Sequence, residues 1–348
     1  MEIDWNLPTN ASVLDQFMAE VGAIHVPTLA YEQGVREFGW LARRARRGEG
    51  TCLLVGGDSG SGKSWLLSRN LLANDVAVQV GPYADPLPVI SIEAPSPGDT
   101  KALAARLLEA VTGYSVSTRE SESVLLDRFA KIALKRGVRV IKIDEFQHVV
   151  DRFVRADNSK NKNREKVLSE NVKTMINTHP FQWILAGEPQ VLGFFDSWPQ
   201  FEGRGRKLPL RPFAWPSDED AFATFLDKYD DQLTALGFRK KSNLGDMTPR
   251  FQLAVQGFHG QAVRRLLKDS AEIAYMAGDP DITGALPVIF ERWKRLGDGA
   301  NPFVMKEKEV RRRLGGAVPL AADDEEALPL PPIRGTGIGP DTRPTFGL

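Results

Sequence analysis

The stretch VGGDSGSGKSWLL, Val55–Leu67, has the spacing G-x-x-x-x-G-K-S, with Gly57, Gly62, Lys63 and Ser64 at the defining positions. Each residue type answers a need of a bound polyphosphate. Glycines allow positive φ, so the amides of Asp58, Ser59, Gly60 and Ser61 can turn toward one anion. Lys63 would reach the β and γ phosphates, and the Ser64 hydroxyl would ligate Mg²⁺. An apolar run, Thr51–Val55, precedes the loop and a helical pattern, Lys63–Ala73, follows it. This is the strand–loop–helix setting in which free N–H groups and the helix dipole add to the attraction.

Downstream, VRVIKIDEFQHV contains a buried-strand pattern, Val138–Ile143, that runs into Asp144 and Glu145. Carboxylates at the C-terminal end of a parallel strand stand where open α/β sheets present their ligands. Asp144 would hold the Mg²⁺ shell with Ser64, and Glu145 would orient the attacking water. Acidic pairs also end strands that bind nothing, so the reading depends on pairing this one with the loop. Apolar runs at Val89–Ile92 and Trp183–Ala186, and a fifth short strand at Lys207–Leu210, alternate with helical stretches at Thr100–Thr112, Ser121–Lys135 and Arg164–Thr178. The alternation predicts a parallel five-stranded sheet covered on both faces, an α/β three-layer sandwich. The Val89 strand lies in sequence between the loop strand and the Asp144 strand; with the carboxylate pair this resembles the branch of P-loop ATPases that carry a catalytic Glu, which implies ATP hydrolysis over phosphoryl transfer to a small acceptor.

Arg204 and Arg206, in EGRGRKLPLRPF, stand just before the fifth strand. There one of them could reach a neighbouring subunit's γ-phosphate, or both could belong to a flexible basic loop. Beyond Phe213 the pattern turns wholly helical: Ser217–Leu236 with Ser217 as cap, Arg250–Gln256, Gln261–Ala277 and Ala285–Leu296. In HGQAVRRLL, Arg264 stands at a helix start from which it could touch the nucleotide and couple its state to lid position. The expected organisation is an N-terminal arm over 1–30, a nucleotide-binding α/β domain over 31–213, and a smaller helical lid over 214–303. A basic segment and a Pro-rich, acidic, disordered tail would occupy 304–348. Residues 31–47 read as a helix with a cationic end.

The 348 residues carry 45 Lys plus Arg against 45 Asp plus Glu, so no global field recruits nucleic acid and any such binding needs a local patch. Candidate patches, each equally readable as a solvated face, are Arg43–Arg47, Lys160–Lys166, Arg239–Lys241 and Arg311–Arg313. The single cysteine, Cys52, excludes an intramolecular disulfide and reads as a buried small hydrophobe. His25, His148, His179 and His259 lack ligand spacing. No run reaches the ~18 apolar residues of a membrane span, and the N-terminus has no signal-peptide pattern, so a cytoplasmic location is expected.

Together these motifs resemble the AAA+ ATPases, and within them the TniB/TnsC-type regulators of transposition, related in role to MuB. The resemblance covers about residues 25–303. It is carried by LLVGGDSGSGKS, IKIDEFQHV, WILAGEPQVL, LPLRPFAWPSDEDAFATFLDKYDDQL, GFHGQAVRRLLKDSAEIA and NPF at 301–303. It implies an AAA+ sandwich with a helical lid and ATP-driven assembly of a homo-oligomer, ring or filament, on duplex DNA. It also implies recruitment of a transposase, and of a TniQ-like target selector, with remodelling on hydrolysis.

On that resemblance the segment DRFVRADNSKNKNREK would line the pore and place Lys160, Lys162 and Arg164 on the DNA. One such loop per subunit would turn a weak patch into a continuous phosphate-tracking surface. At one position the chain departs from the family. After the fourth strand, where a small polar residue helps place the water, stands Glu188. Its carboxylate would repel the γ-phosphate unless turned away, which slows hydrolysis or leaves the task to Gln190. An ATP-holding scaffold, another AAA+ role such as a helicase loader or signalling switch, and a small-molecule kinase are the competing readings.

Overall fold

A computed structural model describes residues 11–68, 85–96, 99–149, 174–176, 178–193, 203–293 and 300–316. Five strands form one sheet: β1 (Thr51–Gly56), β2 (Val89–Glu93), β3 (Val140–Asp144), β4 (Gln182–Gly187) and β5 (Gly205–Pro209). Their order is β2-β3-β4-β1-β5, and every pair is parallel. The loop strand β1 therefore pairs with β4 and β5, while β3 lies one strand away, beyond β4.

Side-chain alternation divides the sheet between two cores, because successive Cβ atoms of a strand point to opposite faces. Leu53 and Val55 join Val140, Ile184, Ala186 and Leu208 under α2 (Leu29–Arg46) and α3 (Lys63–Ser68). Cys52 and Leu54 join Ile141, Ile143, Trp183 and Leu185 under α4 (Thr100–Thr112) and α5 (Glu122–Lys135). This is the expected three-layer α/β sandwich. Cys52 is fully buried, and burial pushes its thiol well above the ordinary range. Lys142 breaks the apolar run of β3, yet it is buried with its Nζ donating to Leu67 O at 2.7 Å. The strand's one cation thus finds a carbonyl acceptor on α3.

Local signals account for helix starts. Thr28 accepts from Tyr31 N at 3.2 Å ahead of α2, and Asp99 accepts from Ala102 N at 2.5 Å ahead of α4. The expected cap at Ser217 is corrected. The first lid helix, α6 (Glu219–Ala235), begins one residue later with Asp218 at the cap position, its carboxylate turned back to Ala214 N at 2.9 Å.

After α6 come α7 (Thr248–Val255) and a single turn, His259–Gln261. A π-helical stretch, Ala262–Leu267, then leads into α8 (Lys268–Ala277), followed by α9 (Ala285–Trp293). Buried Asp230 ties α6 to its successor by accepting from Ser242 N at 3.1 Å and Leu244 N at 3.4 Å. Two segments assigned to termini by the sequence pack onto this layer. Helix α1 (Ala11–Ala23) lies inside the stretch read as an arm and inserts Phe17 and Val21 into the lid core, where Phe17 stacks on Tyr275 at 4.0 Å. Helix α10 (Glu307–Gly316) lies inside the stretch read as a basic tail and buries Val310 and Leu314.

Phe17→Ala is accordingly expected to lower stability by about 3 kcal/mol, as a buried ring leaves a cavity. The denaturation midpoint measures it, and an unchanged midpoint would show α1 to be a passive arm. The tail from 317, the end of the Lys63–Ala73 helix and most of the Arg164–Thr178 helix lie outside the described residues.

Candidate functional site

The loop between β1 and α3 is shaped by what crowds it. A Cβ on Gly57 would sit 2.5 Å from Leu210 O, and Gly60 and Gly62 adopt φ of 93° and 94°, which L side chains rarely take. Within the loop Ser61 N donates to Asp58 O at 3.1 Å. Lys63 folds over it, its Nζ donating to Gly57 O and, at 3.0 Å, to Asp58 O. Burial lowers the Lys63 pKa; Glu145, Asp144, Asp58 and Glu188 act against that by favouring the charged form.

Asp144 ends β3, and the Ser64 side chain favours its ionised form. Burial pushes its carboxyl upward, while the Glu145 amide, at 2.9 Å, and Ser64 hold it down. Glu145 takes φ of 53°, a left-handed conformation uncommon outside glycine, as the chain leaves the strand. Its Oε2 accepts from Gln147 Nε2. Glu188 is exposed, and its carboxylate accepts from Gln190 Nε2 at 2.8 Å. Glu188 and the residue named as its substitute are thus joined to each other.

These elements surround a cavity of about 650 Å³. Ser59–Ser64 line it on one side, Glu145 and Glu188 on another, and Arg264 reaches it from the lid. Arg264 Nε donates to Gly260 O at 3.2 Å. The lid is seated on the loop by Gly260 N donating to Gly60 O at 3.1 Å and Gln261 Nε2 donating to Ser59 O at 3.0 Å.

The sequence did not point to the aromatic part of the lining. There His25 stacks on Trp65 at 4.0 Å, with Tyr31 4.9 Å from Trp65. Tyr229 and His259 join the lining from the lid, His259 beside Gly62 of the loop. These aromatics come from separate segments with no shared periodicity, so only the fold joins them. Gln232 on α6 fastens the His25 backbone through Nε2 to His25 O at 3.0 Å.

His259 lies against the rings of Phe213 and Phe225, at 5.8 and 5.5 Å, and burial lowers its pKa from 6.5 to about 4. A histidine depressed in the folded state binds its proton more readily when unfolded. The stability that neutral His259 contributes is therefore complete above pH 6.5 and lost as pH falls toward 4. The stability of the wild type, read from melting curves, should fall across that window by on the order of 2 kcal/mol more than that of His259→Phe. Parallel pH curves for the two proteins would refute this.

Arg206 lies elsewhere, and the expectation that it precedes the fifth strand is corrected. The edge strand starts at Gly205 because its pairing with β1 begins at Cys52, whose N–H reaches Arg204 O at 2.9 Å. Arg206 pairs with Glu37 at 2.9 Å and stacks over Trp40 at 4.4 Å, away from the cavity. Residues in three of the basic patches form ion pairs. Arg44 bonds Glu49, Lys240 reaches Asp281 at 2.8 Å and Lys241 bonds Asp231. Arg311, Arg312 and Arg313 lie 2.8 to 2.9 Å from Glu307 or Glu309. Lys160, Lys162 and Arg164 lie outside the described residues.

The AAA domain family matches residues 46–195, from the end of α2 to just past β4. Among solved structures the chain is similar to Drosophila ORC bound to DNA, with 15% identity, TM-score 0.51, and coverage of 84% of this chain and 68% of that one. It is likewise similar to the Aeropyrum pernix ORC1 protein in complex with DNA, with 18% identity, TM-score 0.50, and coverage of 79% and 69%. No curated protein matches. Sheet order, loop and family match together give the chain the AAA+ P-loop fold, with a helical region following the sheet. Among the described residues no helix is long and apolar enough to cross a membrane.

Proposed function

We propose that this chain is a Mg²⁺-dependent ATPase that oligomerises on duplex DNA and regulates transposition, acting on a transposase with a TniQ-like selector as further partner. One observation carries the hydrolytic part: Lys63, Ser64, Glu145 and Arg264 line one cavity, and Asp144 precedes Glu145 at the end of β3. The loop amides and Lys63 bind the phosphates. The oxygen pair of Ser64 and Asp144 fits a hard cation that takes most of its ligands from phosphate and water.

Water adds to the γ-phosphorus as the bond to the β–γ bridging oxygen breaks; its proton passes to Glu145, and ADP and phosphate leave. Arg264 senses the γ-phosphate from the lid. Across the subunit boundary the candidates are Arg204 and Arg206; within its own chain Arg206 pairs with Glu37.

Support for the transposition role is the motif order shared with TniB/TnsC-type proteins; support for DNA is the fold shared with two DNA-bound ORC structures. DNA contact at Lys160, Lys162 and Arg164 is supported by the net basic character of that segment and by the family resemblance. Lys160→Glu with Lys162→Glu should abolish DNA retention, spare nucleotide binding and remove the steep salt dependence of the wild type. DNA held equally well by the double variant would move the contact elsewhere. Electron micrographs with ATP and duplex DNA test assembly, and stimulation of strand transfer by an added TniB-dependent transposase tests the role. A second reading, an ATP-bound scaffold with scarce turnover, draws on the Glu188 carboxylate at the cavity. DNA-stimulated phosphate release separates the two.

A further inference from the structure

Gln147 stands two residues beyond Glu145 and is 4% exposed, so both ends of its amide must find partners inside the protein. They do so across the end of the sheet. Nε2 donates to Glu145 Oε2, and Oε1 accepts the Glu188 N–H at 3.2 Å. The amide cannot be turned around, because an ionised carboxylate only accepts and a backbone N–H only donates. Space for it is left by Gly187, where a Cβ would sit 2.3 Å from Gln147 Oε1. Gly187 in turn accepts the Gly57 N–H at 3.1 Å. One amide therefore links the carboxylate after β3 to the end of β4, and through Gly187 to the phosphate loop. Glu145 has φ of 53°, which a non-glycine residue keeps only where its surroundings hold it.

Resting on the hydrolytic reading above, we infer that Gln147 is the positioning residue for Glu145, occupying Oε2 so that Oε1 is presented to the attacking water. Gln147 does not line the cavity, so it acts through Glu145 and touches neither nucleotide nor water itself. The same bridge makes the direction of the Glu145 carboxylate depend on where the end of β4 stands. A shift of Glu188 on nucleotide binding or subunit contact would be felt at the base.

The test uses the full chain with MgATP and duplex DNA, comparing wild type, Gln147→Met and Gln147→Glu at about pH 8, where carboxylates are ionised. Turnover is measured beside the Kd for a fluorescent non-hydrolysable ATP analogue and the melting temperature. Gln147→Met, which keeps the volume and loses the donor, should lower kcat about ten-fold. Gln147→Glu should lower it further by setting a second carboxylate on Glu145, while Kd stays within about two-fold in both.

A merely structural amide predicts the reverse order, because glutamate still accepts the Glu188 N–H and methionine does not. Wild-type turnover in Gln147→Met, the reversed order, or a loss carried by Kd overturns the inference. If Gln147→Met fails to fold, Gln147→Glu against wild type decides, and equal turnover overturns it. A wild type that releases no phosphate above background brings down the hydrolytic reading, and this inference with it; a working wild type with indifferent variants brings down the inference alone.

Discussion

Lys63→Ala is expected to cost about 100-fold in affinity for ATP and, with it, nucleotide-dependent assembly on DNA. The magnitude is that of a charge-assisted contact, about 1.5–3 kcal/mol, lost from a partly buried anion site. The geometry adds a second effect, since Lys63 also braces the loop through Gly57 O and Asp58 O. Removing it leaves those carbonyls to water and the loop less ordered. Titration with a fluorescent ATP analogue, with circular dichroism as control for folding, measures both. If the variant binds ATP and multimerises on double-stranded DNA like its parent, the phosphate site is misplaced and the functional account falls.

Glu145→Gln should do the opposite to binding and most of the damage to chemistry. The substituted amide keeps the size and removes the proton acceptor, so turnover should drop by about 10²–10⁴-fold while ATP stays bound. It also removes a negative charge that faces Lys63, so affinity for the anionic nucleotide should hold or rise. A DNA-bound assembly that no longer disperses is the expected consequence, visible as filaments or rings that persist after ATP is diluted. Unaltered phosphate release would assign the base to another group, with Glu188 the next acid on the cavity wall.

The two experiments divide the readings. Loss of assembly in Lys63→Ala with persistent assembly in Glu145→Gln is the pattern of a protein whose ATP-bound form associates and whose hydrolysis releases it. A scaffold with scarce turnover would give the first result and no contrast in the second.

Much of this protein could be read from local chemistry. Gly57, Gly62, Lys63 and Ser64 announce a phosphate loop because its positive φ angles and close backbone approaches admit few other residues. The β-strand runs announce a parallel sheet because strands buried on both faces must be apolar throughout. The lid helices follow from the spacing of Phe222, Phe225, Leu226, Tyr229 and Leu233, all of which are buried.

What sequence alone left undecided were relations between segments distant in the chain. Nothing local tells that Arg206 lies over Trp40 beside Glu37, or that Arg311–Arg313 each pair with a glutamate of their own helix. A charge run has the same letters whether or not acids face it. The aromatic wall of His25, Tyr31 and Trp65, the packing of α1 on the lid, and the bridge from Gln147 to Glu188 share one physical reason. Each joins groups whose separation in space is set by sheet order and lid docking, and no periodicity within a single segment encodes that distance.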